Sequence, residues 1–499
     1  MRQKLIILGL VIGLVGFGKS AALADTQSWP FTTASNYTIS DEEEVEIADD
    51  VAKFKKTYND IGTPAGQGFG VGACPSGSLP SGFSALSGSA DPTSDNYGNY
   101  QFQDNSIMVY IPKFYYRIGH ADNPTYGTYG VNSIDVKSIY DYTTRAAAEA
   151  DGYALHRAFI DGGAVKDGFF FDKYMASKNT WGAGYIASSI QNGNPISTAA
   201  AHNPIADLTA CSSNYYWQTI NAAHARDGVD GAVNASSIFH VASRFQYSAL
   251  AILSMAHGQA SSATTYCAWY DAGGTTNFPK GLNNDQAPVG GTISNADVND
   301  SSISYTSDGS SYPNCGKTGS GTPFAKTTHN GQNSGVADLN GLMWEVTLGV
   351  TRDASNFYVA KEATSMKDFT SGNSTATDHW GATGIAAMME TLTIPYITGN
   401  DGWIRFGNST NQVLAEDISG NSWKLTGLGI PETSSGLSAG GTNAFGVDGL
   451  YRYLRNELCL LSCALWSTGS SAGVWAVNWF YSRTVSNYPV GFRAACYPE

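Results

Sequence analysis

Asp338-Leu339-Asn340-Gly341-Leu342-Met343-Trp344-Glu345-Val346 and, near the end, Gly491-Phe492-Arg493-Ala494-Ala495 decide how this chain is read. In the first, Asn340-Gly341 is turn chemistry, and an apolar run carrying Trp344 follows it to Val350, as a buried strand would. In the second, Phe492 packs inward from a terminal strand. Working outward, Met108–Ile118 reads as a strand with Pro112 marking an edge or bulge. His156–Ile160 and Phe169–Met175 read as further buried strands. One helix is expected over Ile238–Ala256, with Ile238, Val241, Phe245, Ile252 and Met255 on one face, Ser236 or Ser237 as cap and Gly258 as stop. Residues 259–334 and 364–449 are long, loop-rich insertions, and Leu450–Glu499 returns to short strands. Few helices, short strands and long loops make an α+β fold.

The remaining chain divides into an N-terminal signal and a small leading segment. Arg2 and Lys4 precede the apolar run Leu5–Phe17, and Ala22-Leu23-Ala24 offers a cleavage site, so residues 1–24 are expected to be a signal peptide and the protein to be exported. The export signal leaves periplasm, cell surface and release all open. Residues 25–104 are expected to be a small β segment, with two short strands between Thr38 and Phe54, and a Gly/Ser/Pro-rich linker. The main domain then spans 105–499. Charged residues are only 14% of 499, with 42% apolar and 12% aromatic residues, which excludes coiled coils and disorder. A net charge of -14 repels phosphate backbones, so nucleic acid is not an expected partner. The seven cysteines follow no zinc or redox spacing and are expected to be structural, buried or paired.

Several motifs are weak in this context. Gly436–Gly440 and Gly469–Gly473 match the serine-nucleophile pattern, but neither has a strand before it and a helix after it. The eight histidines make no H-E-x-x-H or H-x-H pair, and no calcium-loop pattern occurs, so neither metal nor cofactor is expected.

Taken together, in this order, the two opening stretches are specific. The chain resembles the C-type-lectin-fold domain of formylglycine-generating, sulfatase-modifying enzymes, which carry a D-x-x-G-N-V-W-E-W-like segment and a later G-F-R. The resemblance rests on Asp338, Asn340, Gly341, Trp344, Glu345, Gly491, Phe492 and Arg493, and spans Met108 to Cys496. It implies a C-type lectin fold: a twisted β core, two helices and long loop insertions. It does not bring the enzyme's chemistry, because that family places reactive cysteines just before G-F-R and this chain has none between Ala464 and Arg493. The E-P-N, Q-P-D and W-N-D triplets of sugar-binding C-type lectins are also missing.

The tail resembles, more narrowly, the variable region of target proteins of diversity-generating retroelements, whose C-terminal strands and loops are mutagenised at adenines. That resemblance implies a variable region over 464–490. Its fixed frame would be Trp466, Gly469, Ala472-Gly473-Val474, Arg483 and Gly491-Phe492-Arg493. The varied, ligand-binding positions would be Leu465, Ser467, Thr468, Ser471, Phe480, Tyr481, Val485, Asn487, Tyr488 and Pro489. A position that accepts many side chains has to lie outside the core, so Phe480, Tyr481 and Tyr488 are expected to be exposed, while Trp475 and Trp479 are expected to be strand core. The function implied is an exported display protein binding a protein or other macromolecule on a cell surface, without catalysis. The alternatives are an active or degenerate sulfatase-modifying-type enzyme, and a fixed-specificity adhesin or phage-tail-like receptor binder. Randomised Asn codons yield Phe, Tyr, Ser, Thr, Val, Leu, Pro or Asn but never Trp, Met, Lys, Gln or Glu, and all ten positions carry allowed residues. Sequencing the flanking DNA should therefore reveal a near-copy of the gene's last stretch beside a reverse-transcriptase gene, differing almost only where the copy has adenine. Mismatches scattered over all four bases would end the diversification claim.

Overall fold

The computed structural model describes residues 58–272, 303–309, 315–353, 356–374, 385–394, 401–406, 418–431, 448–466 and 472–498, with short pieces at 45–48, 52–54, 279, 282–283, 294–295, 414, 445 and 468. The expected signal peptide, Ser467, Gly469, Ser471 and the motif at Gly436–Gly440 lie outside the described residues. Two units separate at Tyr58/Asn59. The leading unit holds an antiparallel hairpin of Val45–Ala48 and Ala52–Phe54.

The main unit is α+β, with two principal sheets. The first has six antiparallel strands in the order Phe239–Val241, Ala494–Cys496, Gly168–Asp172, Ile107–Pro112, Asn99–Phe102 and Phe83–Ala85. The segment expected to be a linker thus supplies two strands of this sheet. Phe83 and Tyr100 pack on Phe170, at ring separations of 4.8 and 5.4 Å. The second sheet runs Met389–Leu392, Asn356–Ala360, Trp344–Asp353, Leu458–Ser462, Val477–Trp479, Gly449–Arg452 and Gly402–Arg405. Val490–Gly491 pairs in parallel with Trp344–Glu345 at its side.

The Gly491-Phe492-Arg493 motif sits where the chain passes from one sheet to the other. Gly491 pairs with Glu345 in the second sheet, and Ala494 pairs with Val241 in the first. The carbonyls at the crossing are taken up: Phe492 accepts from the Ala176 N–H and Arg493 from that of Ala242. A bulge at residues 347–351 of the Trp344–Asp353 strand makes the second join, with the Leu348 N–H donating to the Ala242 carbonyl. Gly349, at φ +93°, is required there, since a Cβ would lie 3.0 Å from the Phe245 ring.

The long helix spans Arg244–Ala260, not Ile238–Ala256. Phe239–Val241 is a strand because its edge is filled by the chain terminus, a long-range pairing that overrides local periodicity. The cap is Ser243, in a capping box with Gln246: its hydroxyl accepts from the Gln246 N–H, and Gln246 Oε1 accepts from the Ser243 N–H. Gly258 lies inside the helix. The helix is buried on all sides and packs against both the Trp344–Asp353 and Leu458–Ser462 strands. Two further expectations need correction. Pro112 ends a strand, and Phe114–Ile118 belongs to a separate three-stranded sheet. His156–Ile160 is mainly a 3-10 turn over Arg157–Phe159, set by His156 Nδ1 accepting from the Ala158 N–H. The long insertions are also not wholly surface. Trp269, Ile303, Tyr305 and Cys315 are buried, and the helix Gly420–Gly427 packs on the long helix through Thr426 and Ser248.

Phe492 is 1% exposed and Phe480 41%. Phe492→Ala should therefore cost about 3–5 kcal/mol, and Phe480→Ala under about 1 kcal/mol. Paired urea denaturation curves measure both; equal losses would place Phe480 in the core.

Candidate functional site

The residues named from the first motif and from G-F-R form one buried network. Arg493 Nε donates to Glu345 Oε2 at 2.7 Å, and its terminal nitrogens donate to the carbonyls of Ala337 (2.7 Å) and Lys173 (2.9 Å). The Tyr247 hydroxyl donates to the same Glu345 oxygen at 2.5 Å. Burial works against the Arg493 charge, but Glu345 beside it leaves the guanidinium held above its ordinary range. Asp338, at φ +64°, accepts from the Gly319 N–H at 2.7 Å, and Asn340 Oδ1 accepts from the Tyr305 hydroxyl at 2.9 Å. At Gly341, φ +104°, a Cβ would lie 2.8 Å from that of Ala472. This lets the turn lie directly against the expected variable region.

That region keeps a buried frame. Trp466, Ala472, Val474, Trp475 and Trp479 are buried, and Arg483 donates to Thr351 Oγ1 at 2.7 Å. Gly473 faces the Asp448 carboxylate, where a Cβ would approach to 2.4 Å, and the Trp475 N–H donates to the same carboxylate. Of the nominated binding positions, Phe480 is exposed, while Leu465, Thr468, Tyr481, Asn487 and Tyr488 are half-buried. Tyr481 accepts from Asn487 Nδ2 at 2.9 Å, and Leu465 and Tyr488 pack against a core cluster containing Trp466, Met343 and Tyr305. Of the three aromatics expected to face solvent only Phe480 is exposed, Tyr481 and Tyr488 being half-buried, and Val485 and Pro489 are buried. Val485 closes a turn on Ser482, and the Pro489 carbonyl accepts from the Trp344 N–H. Both sit where the segment returns to the frame.

Residues outside the nominated set hold part of the main chain here, alongside local bonds from the Asn487 and Thr468 side chains to the Tyr488 and Leu465 N–H groups. Thr198 Oγ1 donates to the Asn487 carbonyl and accepts from the Asn487 N–H, and the Cys459 N–H donates to the Tyr481 carbonyl. Cross-strand register adds residues that periodicity does not reveal. Trp403 lies opposite Tyr451, and Tyr451 opposite Asn478. Phe480 stacks on Tyr453 at 4.9 Å and lies 4.9 Å from Tyr481 and 6.0 Å from Tyr451. Arg405 lies over Trp403, and Arg455 over Tyr453. The result is an aromatic ladder rimmed by two arginines. The short strands carrying Trp403 and Tyr451, and Tyr453 just after the second, offer no sequence signal beyond their aromatic content.

The thiols nearby are inert. All seven cysteines are buried. Burial pushes Cys459 up to about 12 and Cys463 well above the ordinary thiol range, so both stay protonated at neutral pH. Elsewhere, His202, Asp308 and Cys315 place three ligand atoms within 4.8 Å of one another.

No protein-family model matches the chain, and no curated protein matches it. Among solved structures it is similar to "Major Tropism Determinant U1 Variant", with 10% identity and a TM-score of 0.24, over 79% of this chain. The match spans 65% of that structure's length, just under two thirds.

Burial pushes the Asp338 carboxyl up to about 6, against the opposing pull of Arg493. A carboxyl raised on folding stabilises the native state fully below its unfolded value, near pH 4, and loses that contribution as the pH rises through about 6. Asn tolerates the same positive φ and can accept from Gly319. Wild type should therefore gain about 2–3 kcal/mol relative to Asp338→Asn between about pH 7 and pH 4. Urea titrations at both pH values test this; a constant difference between the two proteins would refute it.

Proposed function

We infer that this is an exported ligand-binding display protein with a C-type lectin fold, whose C-terminal strands and loops form a diversified recognition surface. The observation that carries the reading is the aromatic ladder around Phe480, set on a backbone whose carbonyls and N–H groups bond the Thr198 hydroxyl and the Cys459 and Trp344 N–H groups. Side chains at Leu465, Thr468, Phe480, Tyr481, Asn487 and Tyr488 can then change while the chain path stays. Aromatic and small polar side chains on a rigid scaffold give contact area at low entropy cost. Tyr, Trp and Arg are also the residues that dominate binding energy at interfaces. The partner is a protein or other macromolecule on a cell surface. The sulfatase-modifying alternative lacks a thiolate, since Cys459 and Cys463 are buried and protonated.

A library settles the point. Those six positions are randomised with the residues an Asn codon can reach, and the variants are displayed and selected on an immobilised test protein such as lysozyme. Most variants should fold with melting temperatures near wild type, and binders should emerge. The same randomisation at Trp466, Phe492 and Arg493 should abolish folding. If both libraries unfold equally often, the surface is structural and the reading fails.

A further inference from the structure

His202, Asp308 and Cys315 come from distant parts of the chain and meet in the interior. His202 Nε2 and Asp308 Oδ2 are 2.8 Å apart, with side chains 0% and 1% exposed, and Cys315 is fully buried. Each is held by its own local geometry. Asp308 and Cys315 face each other across a hairpin, where the Asp308 N–H donates to the Cys315 carbonyl and Ser307 bridges Gly316. His202 sits in a turn tied by Ser197, whose hydroxyl donates to the His202 carbonyl and accepts from the Ala199 N–H. Asn203 Nδ2 lies 3.0 Å from the same Asp308 oxygen. Turning the Asn203 amide over would place its oxygen in the group instead.

The geometry points to a divalent transition-metal site, best suited to zinc, formed by His202, Asp308 and Cys315, with the fourth position open to the Asn203 amide oxygen or water. Imidazole, carboxylate and thiolate are the donors zinc takes in tetrahedral sites. Without a cation, burial and the adjacent Asp308 charge hold the Cys315 thiol protonated. Metal binding forms an S–M bond and releases the thiol proton to solvent, and the dication offsets the repulsion between thiolate and carboxylate. The donors are separated in sequence by 106 residues and then by seven, which is why no zinc spacing marks them. The site would clip the hairpin to the turn that follows Thr198. Thr198 in turn holds Asn487, Ser486 and Val490. A metal here would therefore stiffen the loop that carries Asn487. The site itself stands independently of any ligand the ladder binds.

The test uses the full chain, stripped with chelator and titrated with Co²⁺. One equivalent should produce a thiolate-to-cobalt charge-transfer band, and Zn²⁺ should abolish it. Cys315→Ser should lose the band, and His202→Ala and Asp308→Asn should weaken binding at least about tenfold. Cys211→Ser should leave the band unchanged. X-ray absorption on zinc-loaded wild type covers the case in which Cys315→Ser fails to fold: one sulfur with nitrogen and oxygen neighbours is expected. No band in wild type, a band that survives Cys315→Ser, or a zinc shell without sulfur would each overturn the site.

Discussion

The rest of the structure depends on the Arg493–Glu345 pair. Both side chains are fully buried, where an ion pair is favourable only if nearly every donor and acceptor is satisfied. Arg493 meets that condition by reaching three chain segments at once: Asp172-Lys173, Ala337 and Glu345. Removing either partner leaves an uncompensated charge at the join between the two sheets, a loss of about 3–5 kcal/mol. The crossing at Phe492 and Arg493 is therefore fixed in register as well as in position. A slip of one residue would present Phe492 to the carboxylate and Arg493 to the core.

From that fixed point the C-terminal segment works backward as a series of anchors. Val490–Gly491 is clamped on Trp344–Glu345, Asn487 on Thr198, Arg483 on Thr351, and Tyr481 on Cys459. Between the anchors the side chains project onto the ladder side or into the half-buried rim. Val485 and Pro489 are exceptions: the Val485 N–H turns back on the Ser482 carbonyl, and the Pro489 carbonyl accepts from the Trp344 N–H. A frame tied by main-chain groups and buried arginines separates chain path from side-chain identity, which a surface made only by side-chain packing does not do.

How much of this was legible in the sequence varies with the range of the interaction. Asp338–Val346 and Gly491–Arg493 could be read because turn residues, a buried Trp and a charged pair leave a compositional mark. The helix starts after Ser243 and not after the expected Ser236 or Ser237, and local sequence does not decide between them. What decides among them is the pairing of Phe239–Val241 with the terminus more than 250 residues away. The capping box at Ser243 and Gln246 was nevertheless present as a local pattern. Strands Phe83–Ala85 and Asn99–Phe102 were hidden in a Gly-rich stretch, since their stability comes from Phe170 and not from their own periodicity. Trp403 is brought against Tyr451 only by register across the second sheet, and Tyr451 and Tyr453 then meet Phe480.

Several other buried arginines answer to the irregular backbone. Long connections leave many buried carbonyls outside any ladder, and each needs a donor. Buried arginines supply them. Arg157 donates to the carbonyls of Ile160, Ala360 and Lys361, Arg226 to that of Ala187, and Arg244 to that of Leu428. A guanidinium has five donors in a fixed plane and can satisfy several segments at once; a lysine at the same place has one charge centre and a flexible stem. The few charges this chain carries are thus placed partly inside, as multi-pronged donors that fold loops into the core. Arg493 is the case in which the same device also joins the two sheets.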